Sequence, residues 1–99
     1  MSVIYEVNLG VEPRIADEFA DWLHTHVAGM LALPGFESAE ILREEGPPDQ
    51  PLFSVRYRLR DRVALDEYFE QHAARMRADG VARFGEAFRA SRRVLRRIG

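Results

Sequence analysis

Two alternating segments joined by a short run of prolines constrain this chain more than any other feature. Leu52 to Arg60 places Phe53, Val55, Tyr57 and Leu59 on one face and Ser54, Arg56 and Arg58 on the other. That is the two-residue period of a half-buried strand. Phe36 to about Glu44 alternates less clearly, with Phe36, Ser38, Glu40 and Leu42 set against Glu37, Ala39, Ile41 and Arg43. Between them lies Gly46-Pro47-Pro48-Asp49-Gln50-Pro51, a loop by composition. It is too short to hold a crossover helix, so the two strands are expected to pair as an antiparallel hairpin.

The rest of the chain builds outward from that hairpin. Ser2 to Leu9 reads as a strand, with Val3, Tyr5, Val7 and Leu9 opposite Ile4, Glu6 and Asn8. Pro13 suits the first turn of a helix, where its missing N–H costs nothing. Helix one is predicted over Arg14 to about Leu31, because Ile15, Phe19, Trp22, Leu23 and Met30 recur at helical spacing. His26 shares that stripe, and His24 points almost opposite. Pro34 and Gly35 stop the helix. Asp61 is a good N-cap for helix two, which is predicted to run to about Ala78 with Leu65, Phe69, His72 and Met76 on its apolar face. Gly80 reads as its C-terminal stop. Gly85 releases the chain into a fourth strand, about Ala87 to Arg97, where Phe88, Ala90, Arg92 and Val94 share a face. The order β-α-β-β-α-β predicts one ferredoxin-like α+β domain over residues 1–99. It would have a four-stranded antiparallel sheet with both helices on one face.

Size and charge limit what such a domain does. With 99 residues it holds one core with little to spare, and dimerisation would help it. The sheet face away from the helices would carry Glu6, Asn8, Arg56 and Arg58. A two-fold dimer stacking sheet on sheet sets Glu6 or Glu40 of one chain against Arg56 or Arg58 of the other. The absence of cysteine removes disulfides, thiolate nucleophiles and cysteine metal sites. Every basic residue is arginine, which rules out a Schiff-base or P-loop lysine. Residues 1–50 carry two arginines against ten acids, and residues 51–99 carry twelve against six. The halves neutralise each other to a net charge of −2, and no base-reading motif appears, so nucleic acid is not an expected partner. No signal-peptide pattern opens the sequence and no apolar run approaches the roughly 18 residues of a membrane span. The expectation is a cytoplasmic protein that does not enter membranes.

The residues able to carry chemistry are His26, His72, Tyr5, Tyr57 and Trp22, each predicted to face the space between sheet and helices. Histidine moves protons near neutrality. Two histidines and two phenols around an apolar pocket suit acid–base work on an enolisable or phenolic substrate. In that reading His72 is the base and His26 or Arg92 positions an oxyanion. The same histidines also read as core residues whose nitrogens are satisfied by backbone, a tyrosine or water. A solvent-connected cavity touching both His26 and His72 separates the two readings. No metal site is expected, since Glu67 and Glu70 point away from His72 and no third ligand shares the stripes. The run Arg92, Arg93, Arg96 and Arg97 splits between two strand faces and is no phosphate patch.

Five stretches match a known family. They are IYEV at Ile4–Val7, WLHTHVAGML at Trp22–Leu31, PGF at Pro34–Phe36, SVRY at Ser54–Tyr57 and YFEQHAARMRADGVARFG at Tyr68–Gly85. On these the chain resembles the uncharacterised bacterial Domain of Unknown Function 4286 family, within the dimeric α/β-barrel group. The resemblance covers nearly the full length, and its last stretch is the most specific. It implies a ferredoxin-like subunit that pairs through its sheets into a homodimeric barrel, and it implies no activity. More distant proteins of this architecture resemble cofactor-independent antibiotic-biosynthesis monooxygenases, haem-degrading oxygenases and lactone isomerases, which place ligands between sheet and helices. The expectation by analogy of fold is a small apolar or phenolic ligand held by Tyr5, Trp22, His26, Tyr57, His72 and Arg92, with no cofactor of the protein's own. A cofactor-independent monooxygenase or isomerase is the catalytic alternative, and a structural or regulatory dimer module is the non-catalytic one; fold alone does not choose.

Overall fold

The short proline-rich connection makes the hairpin that its length requires. In the computed structural model, which describes residues 1–99, β2 (Phe36–Arg43) and β3 (Leu52–Leu59) pair antiparallel. The Glu44 N–H donates to the Leu52 carbonyl at 2.9 Å where the loop leaves the pair. β1 (Val3–Val11) lies on the other side of β3, and β4 (Phe88–Arg96) on the far side of β1. The sheet order is β2-β3-β1-β4, antiparallel throughout.

The weak alternation of β2 has a local cause. Phe36 pairs with Leu59 but Ser38 pairs with Arg58, so Glu37 is an extra residue, a β-bulge. The bulge resets the phase. Phe36, then Ala39 and Ile41, pack on the core. Strict alternation predicts Phe36 on the same face as Ser38, Glu40 and Leu42; the bulge instead groups it with Ala39 and Ile41.

Helix α1 (Ala16–Leu31) follows a single 3₁₀ turn at Pro13–Ile15. It buries Phe19, Leu23, Val27 and Met30. Each large apolar side chain fully withdrawn from water contributes roughly 1.5–3 kcal/mol. Helix two departs from expectation. It is two helices, α2 (Arg62–Gln71) and α3 (Ala73–Phe84), separated at His72, where φ is −129°. On one unbroken helix, at about 100° per residue, the buried stripe of α2 (Ala64, Leu65, Tyr68) and that of α3 (Ala73, Met76, Gly80) would lie about 100° apart. The break turns α3 so that both stripes meet the sheet.

Two glycines have specific tasks here. Gly80 does not stop a helix; it is buried inside α3. A Cβ on it would come within 3.1 Å of ring atoms of Trp22 and Phe88, so glycine lets α3 lie close to both. Gly35, between α1 and β2, has φ +85° and a Cβ there would overlap that of Ala64 on α2. The Gly35 carbonyl accepts the Arg60 N–H at 2.8 Å, fixing this turn to the end of β3. Asp61 caps α2 as expected, accepting the Ala64 N–H at 2.9 Å.

The face of the sheet away from the helices is uncovered. Cross-strand register lines up Glu40, Arg56, Glu6 and Arg93 in one row across all four strands. Glu6 accepts from Arg93 Nε at 2.6 Å and from Arg56 Nε at 2.9 Å. Asn8 Nδ2 also donates to it at 2.9 Å, and Ser54 Oγ donates to Asn8. The Glu6 carboxylate is therefore neutralised within its own chain rather than left for a partner. The Arg93 bond, then Asn8 and Arg56, hold its pKa down at about 2 against the opposing effect of burial. No helix is long and apolar enough to cross a membrane.

Candidate ligand-binding cavity

Two aromatic clusters occupy the layer between sheet and helices. One joins Tyr5 to Tyr57, Tyr68 and Phe69 with ring centroids 5.4–6.0 Å apart. The other gathers Trp22, Phe84 and Phe88 around Phe19. Large aromatic rings prefer offset or edge contacts, and both clusters use them. Between the clusters lies a cavity of about 350 Å³. Tyr57 and Tyr68 line it from the first cluster, Trp22 and Phe88 from the second. The space persists because Gly80 and Ala90, which also line it, bring no bulk. Its exposed rim is formed by Arg77 and Val81 of α3, Gly85, and Arg92 of β4.

The polar groups in this cavity are few and specific. Tyr57 and Tyr68 are only 2% and 3% exposed. Both residues line the cavity, and neither hydroxyl has a hydrogen-bond partner in the protein or is sealed from solvent. Burial, with the neighbouring Tyr68 and Tyr5, pushes the Tyr57 phenol well above its ordinary value. Burial and Tyr5 push Tyr68 up to about 12, while Arg77 and Arg92 pull the other way. His26 stacks on Trp22 with centroids 4.6 Å apart. Burial lowers its pKa and Asp79 opposes this, which favours the neutral imidazole. Trp22, His26 and Met76 also line an outer groove between α1 and α3, making them the wall between cavity and surface there. Arg77 donates to the Tyr5 hydroxyl at 3.3 Å, which ties its side chain to the cavity end of the first cluster.

The residues expected at this site divide. Trp22, His26, Tyr57 and Arg92 line the cavity. Tyr5 lies beneath it, buried, reaching it only through Arg77. His72 does not line it at all, which removes it as the base facing the ligand. It sits at the break between α2 and α3, with Nδ1 3.4 Å from Arg75. The helical stripe that placed it inside assumed an unbroken helix. His24 points outward, its Nδ1 2.8 Å from the Ala20 carbonyl. Tyr68 and Arg77 belong to the cavity and were not expected there. Tyr68 lies on the separate buried stripe of α2, and Arg77 reads in sequence as an ordinary solvated helix charge. No group of three or more histidine or acidic side chains is arranged to hold a metal ion.

Comparison with known proteins adds a family and a fold. The family model described as Domain of unknown function (DUF4286) matches residues 2–98. No curated protein matches the chain. Among solved structures, it is similar to a variant of SnoaB, a cofactor-independent oxygenase from Streptomyces nogalater, at TM-score 0.75 and 16% identity, covering 99% of this chain and 94% of that one. It is similar to a protein provisionally named an antibiotic biosynthesis monooxygenase from Nitrosomonas europaea, at TM-score 0.74 and 16% identity, covering 98% and 90%. It is also similar to the de novo designed protein Foldit4, at TM-score 0.67 and 12% identity, covering 99% and 100%. At such identities the likeness is one of fold. The designed protein makes the point, since this arrangement of strands and helices needs no inherited activity to form.

Proposed function

The chain belongs to the DUF4286 family, whose description assigns no activity, and we propose that it binds a small apolar or phenolic molecule in the cavity between helices and sheet. One observation carries this reading: two almost wholly buried tyrosines line the cavity, and their hydroxyls have no protein partner yet are not sealed from solvent. A buried polar group left unpaired costs about 1–3 kcal/mol, so a folded chain keeps such groups where water or a ligand satisfies them. The volume, about 350 Å³, sits at the small end of the range for small-molecule sites, roughly 300–1,000 Å³. A purely structural module would fill this space with its own side chains. The test is a screen of ligand-induced stabilisation across phenols, lactones, quinones and haem. A compound that binds only the native state raises the melting temperature, and a flat response across all four classes would contradict the reading.

We place this site in a homodimer whose subunits stack their open sheet faces into an α/β barrel. Ile4 and the half-buried Leu95 sit on that face beside the charged row, and the row is already neutralised from within. The second sheet then has apolar surface to cover without having to supply a partner for Glu6. Light scattering at micromolar concentration should give twice the subunit mass, and a monomer would refute the barrel.

A catalytic reading rests on His26. It is an imidazole on the cavity wall whose neutral form burial favours, and in that form it can take a proton from a phenolic O–H or an acidic C–H of a bound ligand. The resemblance to a cofactor-independent oxygenase is one of fold, and it suggests this reaction class only by analogy. His26→Ala should then abolish turnover and leave ligand-induced stabilisation in place.

A further inference from the structure

Resting on the cavity as a ligand site, we infer that its ligand is bound as an anion, with an acidic head group between Arg77 and Arg92 and an apolar body between the aromatic clusters. Arg77 comes from α3 and Arg92 from β4, so the two guanidiniums reach the same rim from opposite sides of the mouth. Neither has an acidic partner. Arg43, Arg75, Arg89, Arg96 and Arg97 are likewise without an ion pair, but none of them lines the cavity. No aspartate or glutamate lines the cavity. Both come from the half of the chain that carries twelve arginines against six acids, so what sets them apart is their place at one cavity mouth rather than their charge alone.

The position of each cation is set by its surroundings. Arg77 is held by its bond to the buried Tyr5 hydroxyl, which leaves its other N–H groups free. Arg92 stands directly opposite Val7 in the β1–β4 register, on the face that meets the helices. Both arginines are near enough to Tyr68 to favour its anionic form. A carboxylate or phenolate there would accept charge-assisted hydrogen bonds from both arginines and a further one from Tyr68 or Tyr57. Low-dielectric aromatic walls strengthen that attraction relative to open surface. A neutral ligand of the same shape would meet the same walls and gain nothing from the rim.

The experiment compares two probes of one shape by calorimetry: 2-naphthoate, an anion at pH 7, and 2-naphthamide, which is neutral. Binding of 2-naphthoate should be at least about tenfold tighter. Arg77→Met and Arg92→Met should each weaken 2-naphthoate by about tenfold and leave 2-naphthamide unchanged. Each variant's unfolding midpoint, measured alongside, shows whether the fold is intact. Equal affinity for the two probes, or arginine variants that bind 2-naphthoate normally, would overturn the inference and leave the cavity as a site for neutral ligands. If neither probe binds and the broader screen is also flat, the ligand site itself fails along with the inference.

Discussion

Replacing Glu6 with glutamine removes one charge from the middle of the open sheet face and keeps the shape of the side chain. The carboxyl pKa falls from an ordinary 4.5 to about 2, chiefly through the Arg93 hydrogen bond, then Asn8. Taken at face value, at 1.36 kcal/mol per pH unit, that displacement is worth about 3 kcal/mol. The arginine side chains are 46% and 61% exposed, however, so water screens the attraction. About 1 kcal/mol is the expected share. The sign follows from linkage. A carboxyl held below its unfolded value stabilises fully above about pH 4.5, and that contribution is lost as pH falls toward 2. Urea unfolding should therefore show Glu6→Gln less stable by about 1 kcal/mol at pH 7, with the gap closing as pH falls through 4 toward 3. Salt should narrow it as well. If the sheets stack in a dimer, the arginines leave water and the gap at pH 7 should grow with protein concentration. A difference that stays constant from pH 7 to pH 3 would refute the electrostatic account and point to packing instead.

Further outcomes follow from single side chains. Gly35→Ala should destabilise the fold by about 2–4 kcal/mol, combining a left-handed backbone with overlap on Ala64, as read from a urea melt. His72→Ala should shift stability by less than about 1 kcal/mol and leave ligand affinity unchanged, because its ring makes one long hydrogen bond, to Arg75, and does not line the cavity. Tyr57→Phe should leave stability within about 0.5 kcal/mol, since its hydroxyl has no protein partner to lose, while weakening a phenolic ligand in calorimetry.

The sheet and the first helix could be read from the sequence because their residues alternate or recur without interruption. Tyr5, Val7, Val55 and Tyr57 announce their face by period two, and Phe19, Leu23 and Met30 theirs by helical spacing. The proline loop forces the hairpin by length alone. What failed was phase. Glu37 adds one residue to β2 and reverses the alternation after it, and a bulge leaves no mark in residue types. The break at His72 has no proline or glycine to signal it, so the stripe on an imagined continuous helix averaged two real ones. That average admitted His72 and missed Tyr68. Gly80 reads as a stop because glycine usually is one, whereas its use here depends on Trp22 and Phe88 arriving from elsewhere in the chain. Arg92 could be found because it falls in the alternation of Phe88 and Ala90 on the fourth strand. Arg77 could not, because its role depends on a hydroxyl 72 positions away.

The central claim is that the space between the two aromatic clusters receives a ligand. Trp22 is the only tryptophan, and it lines that space against His26, so its fluorescence reports directly on occupancy. The decisive measurement titrates the strongest stabilising compound against the natural chain and against Ala90→Phe, which fills the cavity from the edge strand. The prediction is a saturable change in Trp22 emission in the natural chain, absent in Ala90→Phe although that variant still unfolds cooperatively. No saturable change in the natural chain, or equal binding by the filled variant, would contradict it.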